Sequence, residues 1–138
     1  MKVLILCTGN SCRSQMAQGF LQSFDKRNLV YSAGTFPASI VNPNAIKVMD
    51  EVGIDISGNT PKNVDQYLND EWDYVITVCD DAKETCPLFP GKVKYRLHMG
   101  FEDPSNTTGS EDFVMSEFRR IRDEIKSVFY EFYNNFLI

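Results

Sequence analysis

The sequence has no long hydrophobic run and no excess of basic residues. Its apolar stretch near the start, Val3 to Leu6, is far shorter than the ~7–15 residues of a signal-peptide core or the ~20 of a membrane span. The 14 Lys and Arg residues are outnumbered by 19 Asp and Glu, which argues against general binding to nucleic-acid phosphates. We therefore expect a cytoplasmic protein that binds neither nucleic acid nor a membrane, although a local cradle of amides and one arginine would still suit a small anion.

Cysteine is scarce, at four residues, and histidine is scarcer, at one. Because cytosolic thiols are kept reduced and disulfides there are mostly transient and catalytic, we expect no structural disulfide. The cysteine pairs lack the short spacing typical of zinc fingers, and we expect His98 to pack or to form hydrogen bonds. The sequence therefore predicts no metal site and no cofactor.

The chain does have the length and apolar content of one domain, which we place at residues 1–138: 43% of its residues are hydrophobic and 24% are charged. Strand patterns alternate with helix patterns, which implies right-handed βαβ units. We predict an α/β, three-layer fold with a four-stranded parallel sheet and helices on both faces. The predicted strands are Lys2 to Leu6, Leu29 to Ala33, Trp72 to Val78 and Val93 to Leu97, and the predicted helices are Arg13 to Lys26, Pro43 to Gly53, Val64 to Leu68 and Glu111 to Phe136.

The segment CTGNSCRS, residues 7–14, lies between the first predicted strand and the first helix. Its backbone N–H groups would surround one point at a helix N-terminus, and Arg13 adds a planar fork of donors suited to phosphate or arsenate. Such surroundings lower a cysteine pKa from ~8.5 to about 3.5–7.5 and would make Cys7 a nucleophile, with Ser14 as a further donor to its sulfur. The candidate oxyanion-binding residues are Thr8, Gly9, Asn10, Ser11, Cys12 and Arg13.

The alternative for Cys7 is a small buried side chain at a strand end, but this leaves Gly9, Arg13 and Ser14 without a common explanation. Cys12 suits packing at least as well as chemistry, so we assign it no catalytic role.

A second segment, TVCDDAKETCPLFP, places Cys79 and Cys86 in a polar stretch with six residues between them. In a regular helix their Cα atoms would be about 10.5 Å apart, beyond the ~7 Å limit for a disulfide, so a bond between them requires bending or unwinding. Ligands of parallel sheets bind beyond the carboxyl ends of the strands, which puts Cys7 and Cys79 at one edge. The alternative is two unrelated thiols.

These motifs together resemble a known family. CTGNSCRSQMA resembles the signature of the low-molecular-weight tyrosine phosphatases, and in particular their thioredoxin-coupled arsenate reductase branch. The similarity continues through VYSAG, VNPNAIKVMDEVGIDIS, CDDAKETCP, GFEDP and SEFRRIRDEI in that order. The resemblance implies the low-molecular-weight phosphatase fold and arsenate as substrate.

The resemblance also implies a relay of three thiols. Cys7 would attack arsenate, Cys79 would form a disulfide with Cys7 as arsenite leaves, and Cys86 would move the disulfide to Cys79–Cys86, where thioredoxin reduces it. Asp103, which precedes a proline, would be the general acid, although Asp-Pro is also a common turn. We expect a monomer.

The chain departs from the sequence pattern of this family at several positions. Ser105 follows Asp103-Pro104 where tyrosine phosphatases carry tyrosines, which weakens a phosphotyrosine role. A potassium site found in part of the reductase branch has acidic residues where this chain has Gln18 and Lys62. One hypothesis gives the positive charge to Lys62, beside Asn10 and Ser32.

Two other functions stay open at this point. In a low-molecular-weight phosphatase, Cys7, Arg13 and Asp103 would keep their roles and the remaining thiols would only protect the nucleophile from oxidation. A non-enzymatic oxyanion or redox sensor would use the thiol pair to change shape for a protein partner.

Overall fold

A computed structural model describes residues 1–79 and 91–138 of the chain, so Cys86 lies outside the described residues. Its sheet has four parallel strands in the order β2-β1-β3-β4, which confirms the predicted α/β class. The strand ranges match the sequence-based boundaries to within one residue at either end. They are β1 (Lys2–Cys7), β2 (Leu29–Gly34), β3 (Trp72–Thr77) and β4 (Val93–His98).

Strand β1 lies at the centre of the molecule because its side chains are apolar on both faces. Val3 to Leu6 are fully buried, the pattern of a parallel strand covered on each side. β1 pairs with β2, with Ile5 opposite Ser32, and with β3, with Leu6 opposite Thr77. The register brings the carboxyl ends of all three strands to one edge of the sheet.

Three α-helices pack against one another: α1 (Arg13–Phe24), α2 (Pro43–Asp50) and α3 (Glu111–Phe132). Helix α2 begins as predicted, because the Asn42 side chain accepts a hydrogen bond from the Asn44 N–H and Pro43 occupies the first turn. Short 3-10 helices span Val64–Tyr67 and Pro104–Asn106, and a π-helical turn spans Tyr133–Leu137. Within residues 1–79 and 91–138, no helix combines the length and apolarity needed to cross a membrane.

Three α-helices end earlier than their hydrophobic patterns predict, and α3 ends at Phe132 because the π-helical turn Tyr133–Leu137 follows it. Helix α1 ends at Phe24 because Asp25 is extended and its carboxylate accepts hydrogen bonds from Arg27. Helix α2 ends at Asp50, and a turn closes at Gly53, whose φ is +81°. Local turn chemistry therefore overrides periodicity at these ends.

The end of β2 approaches the loop after β1 so closely that only glycine fits at position 34. A Cβ on Gly34 would lie 2.5 Å from the Thr8 carbonyl oxygen and 3.1 Å from the Asn10 nitrogen. We expect Gly34→Ala to cost about 1–3 kcal/mol of unfolding free energy, because backbone atoms must move. Gly58→Ala is the matched control, since a Cβ there meets nothing within 4 Å. Urea unfolding of both variants checks this, and equal stabilities would contradict it.

Candidate functional site

The loop after β1 is held from inside by Asn10, whose φ is +49°. The Asn10 side-chain amide donates to the hydroxyl oxygens of Ser14 and Ser32 at 2.8 and 2.9 Å. Its oxygen accepts from the Lys62 backbone N–H at 2.9 Å and from the Gln15 amide at 3.2 Å. Asn10 and Ser14 are both completely buried. The left-handed conformation at Asn10 is thus fixed by four hydrogen bonds, and the Ser14 hydroxyl accepts one of them.

The same loop is clamped from outside by residues 35–42, which we call the strap. N–H groups of the strap donate to carbonyl oxygens of the loop over 2.8–3.2 Å. The pairs are Thr35 with Cys7, Phe36 with Thr8, Ala38 with Gly9 and Asn42 with Ser11. In a trans peptide the C=O and the following N–H point in opposite directions. The N–H groups that follow these carbonyls therefore point away from the strap, as an anion cradle requires.

The structure brings Cys7 and Cys79 together at the carboxyl edge of the sheet. Cys7 ends β1 and Cys79 follows β3 by two residues, and only 4% and 3% of their surfaces are exposed. The Thr8 hydroxyl lies 3.4 Å from the Cys79 sulfur, and a hydrogen bond links the two thiols. Cys7 and Cys79 therefore lie together, buried at one edge of the sheet.

The expectation of a lowered pKa at Cys7 is wrong for this structure. The hydrogen bond with Cys79 and the burial of the sulfur raise the pKa of Cys7, and they outweigh the opposing effects of the Arg13 charge and the Thr8 N–H. Sequence reasoning placed Cys79 at the same edge but counted only the positive surroundings, and it left out the effects of the second thiol and of desolvation on the pKa of Cys7. The pKa of Cys7 therefore lies above that of an ordinary cysteine in this arrangement.

Replacing Cys79 with alanine should lower the pKa of Cys7, because it removes the largest cause of the raised value. A lower pKa means more thiolate at pH 7, so iodoacetamide should alkylate Cys7 faster in the variant. The pH dependence of the alkylation rate, read by mass spectrometry of the peptide that contains Cys7, measures this. An unchanged profile would show that burial alone sets the pKa.

Cys12 is buried at the start of α1. Burial, and to a smaller extent the charge of Asp103, raise the pKa of Cys12 to about 12. Cys12 therefore stays protonated across the physiological pH range, which agrees with assigning it no catalytic role.

Arg13 faces the same edge, and the Nε–H donor of its guanidinium is unpaired among the described residues. Nη1 donates to the Phe101 carbonyl oxygen at 3.0 Å, and Nη2 lies 3.4 Å from Asp103 Oδ2. The Nε atom is buried and has no hydrogen-bond partner among the described residues. Because an unsatisfied buried donor costs free energy, this Nε–H fits an arginine built to bind an oxyanion.

Asp103 lies beside Arg13 at the start of the 3-10 helix Pro104–Asn106. Its Oδ1 accepts hydrogen bonds from the Ser105 N–H at 3.0 Å and from the Ser105 hydroxyl at 2.6 Å. Its Oδ2 is therefore the oxygen that faces the guanidinium. A cavity of about 510 Å³ opens here, lined by Arg13, Cys79, Gly100, Phe101, Glu102, Asp103 and Asn106.

Sequence reasoning missed two contacts of this site. The Phe101 contact with Arg13 uses a backbone carbonyl, for which the sequence contains no signal. The contact of the Thr8 hydroxyl with Cys79 joins two motifs 71 residues apart. His98 forms a hydrogen bond from its Nδ1 to the Thr77 hydroxyl at 2.8 Å, as expected for a residue outside the chemistry.

A smaller cavity of about 290 Å³ lies behind the loop and includes Gln18, Ser32 and Lys62. The Lys62 contact with Asn10 that the structure shows comes from its backbone N–H, so the role proposed for the Lys62 charge stays a hypothesis. Among residues 1–79 and 91–138, no cluster of three or more His, Cys, Asp and Glu side chains could hold a metal ion.

Comparison with known proteins places this site in a family. The family model for low molecular weight phosphotyrosine protein phosphatase matches residues 2–136. An arsenate reductase of Bacillus subtilis is 47% identical over 94% of this chain and 93% of its own length. One from Halalkalibacterium halodurans is 48% identical over 89% of this chain and 88% of its own length.

Solved structures agree with the sequence relatives. An arsenate reductase in the phosphate binding state superimposes with a TM-score of 0.81 at 32% identity, covering 97% of each chain. A low molecular weight protein tyrosine phosphatase from T. tengcongensis gives a TM-score of 0.79 at 25% identity, covering 98% of this chain and 99% of its own.

Proposed function

The chain belongs to the low molecular weight phosphotyrosine protein phosphatase family, and from that premise we propose that it is an arsenate reductase that works through Cys7, Cys79 and Cys86. The observation that carries the proposal is the second thiol of Cys79, buried beside Cys7 at the oxyanion loop. A phosphatase needs a single nucleophilic thiol, whereas a two-electron reduction needs a pair. The curated relatives, at 47–48% identity, are arsenate reductases.

The first step joins sulfur to arsenic. The loop N–H groups and the Arg13 Nε–H hold the arsenate, and Cys7 attacks the arsenic atom. Because the pKa of Cys7 is raised, its proton passes to an oxygen of the arsenate dianion as the S–As bond forms. One As–O bond breaks, and Asp103 Oδ2 gives the leaving oxygen a proton so that it departs as water.

The second step reduces arsenic. The thiol of Cys79 gives its proton to an oxygen of the arsenic group and attacks the Cys7 sulfur, so that an S–S bond forms and the electron pair of the S–As bond stays on arsenic. Arsenic falls from the +5 to the +3 state and leaves as arsenite. The close approach of Cys79 to the loop supports this step, because exchange needs access to the sulfur under attack.

The third step returns Cys7 to its starting state. Cys86 attacks Cys79, its proton passes to the Cys7 sulfur, and a Cys79–Cys86 disulfide is left. We propose thioredoxin as the two-electron reductant of this disulfide and the cytoplasm as the compartment, where such systems keep thiols reduced. We also propose that one domain, acting as a monomer, carries the whole cycle.

The second candidate is protein tyrosine phosphatase activity through a phosphorylated Cys7. The family model and the similarity to the T. tengcongensis enzyme favour it, and Cys7, Arg13 and Asp103 would suffice for it. Ser105 argues against it, because a serine there offers no ring to stack on a phosphotyrosine.

Mass spectrometry of the reduced protein after arsenate treatment, without a reductant, tests the proposal. The expected product is one equivalent of arsenite and a protein two mass units lighter, with Cys79 and Cys86 in one disulfide-linked peptide. A protein that keeps all four thiols and releases no arsenite would overturn the proposal. Phosphate in place of arsenate is the control and should leave the thiols reduced.

A further inference from the structure

A series of three hydrogen bonds connects the segments of the site. The Val78 N–H donates to the Leu6 carbonyl at 2.9 Å, and the Phe101 N–H donates to the Val78 carbonyl at 3.1 Å. Arg13 Nη1 completes the series by donating to the Phe101 carbonyl at 3.0 Å. Leu6 precedes Cys7 and Val78 precedes Cys79, so Phe101 connects the guanidinium to the segments that carry both thiols.

The side chain of Phe101 fixes the middle of this series against the core. Its ring is buried and stacks on Phe129 of α3, with ring centroids 6.3 Å apart and planes 28° apart. Phe129 is itself completely buried. The neighbouring residue Glu102 pairs with Arg120, but both side chains are largely exposed and such pairs contribute little. The aromatic contact therefore adds to the backbone hydrogen bonds that locate this segment.

We propose that Phe101 and Phe129 are positioning residues for oxyanion binding: their stacked rings hold the Phe101 carbonyl where it orients the Arg13 guanidinium. Arg13 has to present its Nε–H to an anion while Nη1 is held. A shift of the Phe101 carbonyl would rotate the planar guanidinium and misdirect that donor. Misplacing a binding group by about 1 Å costs on the order of 100-fold in an active site.

The test measures the affinity for inorganic phosphate, which needs the oxyanion loop but none of the redox steps. Phe129→Leu should weaken phosphate binding about fivefold or more, measured by isothermal titration calorimetry on the reduced protein. Phe118→Leu is the matched control, because Phe118 is equally buried on the same helix α3 and has no ring contact with Phe101 among the described residues. It should lose thermal stability and keep its phosphate affinity within about twofold.

Variants at Phe101 separate positioning from general damage. Phe101→Tyr keeps the ring and should bind phosphate as the wild type does, whereas Phe101→Leu should weaken binding as Phe129→Leu does. The double variant should be no weaker than either single variant, because both act through one contact. Equal weakening by Phe118→Leu, or unchanged affinity in the Phe101→Leu and Phe129→Leu proteins, would overturn the inference.

This inference rests on the proposed function, and the two fail in different ways. If the wild type reduced no arsenate but Phe129→Leu still weakened phosphate binding, the relay would be wrong and the positioning role would stand. If the wild type reduced arsenate and the Phe129→Leu protein bound phosphate unchanged, only the positioning role would be wrong.

Discussion

Replacing Cys79 with serine is expected to lower steady-state arsenate reduction by more than about 1,000-fold. A serine hydroxyl cannot form a disulfide with Cys7, so the arsenic atom would never receive the electron pair of the S–As bond. The variant is nearly isosteric at a site that is 3% exposed. The measurement is arsenite formed per enzyme over many turnovers, with thioredoxin, its reductase and NADPH supplied.

The same variant discriminates the two candidate activities. Hydrolysis of an aryl phosphate needs only Cys7, Arg13 and Asp103, so Cys79→Ser should change it by less than about tenfold. Val75→Ala is the control for a change at a buried position of β3, and it should retain arsenate reduction. Sustained arsenite production by the Cys79→Ser protein would exclude the proposed relay.

The second large effect is expected at Arg13. Replacing it with lysine keeps the positive charge and removes the planar fork, so kcat/KM for arsenate should fall about 100- to 1,000-fold. Lysine has no atom equivalent to the Nε–H, and it cannot hold the Phe101 carbonyl and the anion in one plane. Steady-state kinetics at several arsenate concentrations measure the loss.

Arg119→Lys provides the control for this substitution. Arg119 pairs with Glu51 on the surface between α3 and α2, away from the oxyanion loop. Its replacement should leave kcat/KM for arsenate within about twofold. If Arg13→Lys behaved as Arg119→Lys does, the oxyanion would bind through the loop amides alone.

Much of the architecture follows from local patterns in the sequence. The uninterrupted apolar residues of Val3–Leu6 predict a central parallel strand, and Asn42-Pro43 predicts the start of α2. Both predictions are confirmed. The meeting of Cys7 and Cys79 follows from topology, since the carboxyl ends of neighbouring parallel strands lie at one edge.

The rest depends on contacts that arise only in the folded chain. The raised pKa of Cys7 comes from a thiol 72 positions away and from burial, and neither is visible in the CTGNSCRS motif. The Phe101 carbonyl is a backbone group, so no residue type marks its role. The end of α1 at Phe24 reflects turn chemistry at Asp25 that the continuing helical pattern hides. In each case a tertiary contact or a local turn, which the sequence motif does not reveal, determines the pKa, the contact or the helix end.

In the strap, residues 35–42, the backbone holds the oxyanion loop while the side chains form the rim of the site. The strap grips the oxyanion loop through main-chain N–H groups, while the side chains of Phe36 and Ile40 are 81% and 62% exposed. A change of side chain at these two positions leaves the gripping amides in place. Side chains at the rim can therefore change without loss of the main-chain hydrogen bonds that hold the loop beneath them.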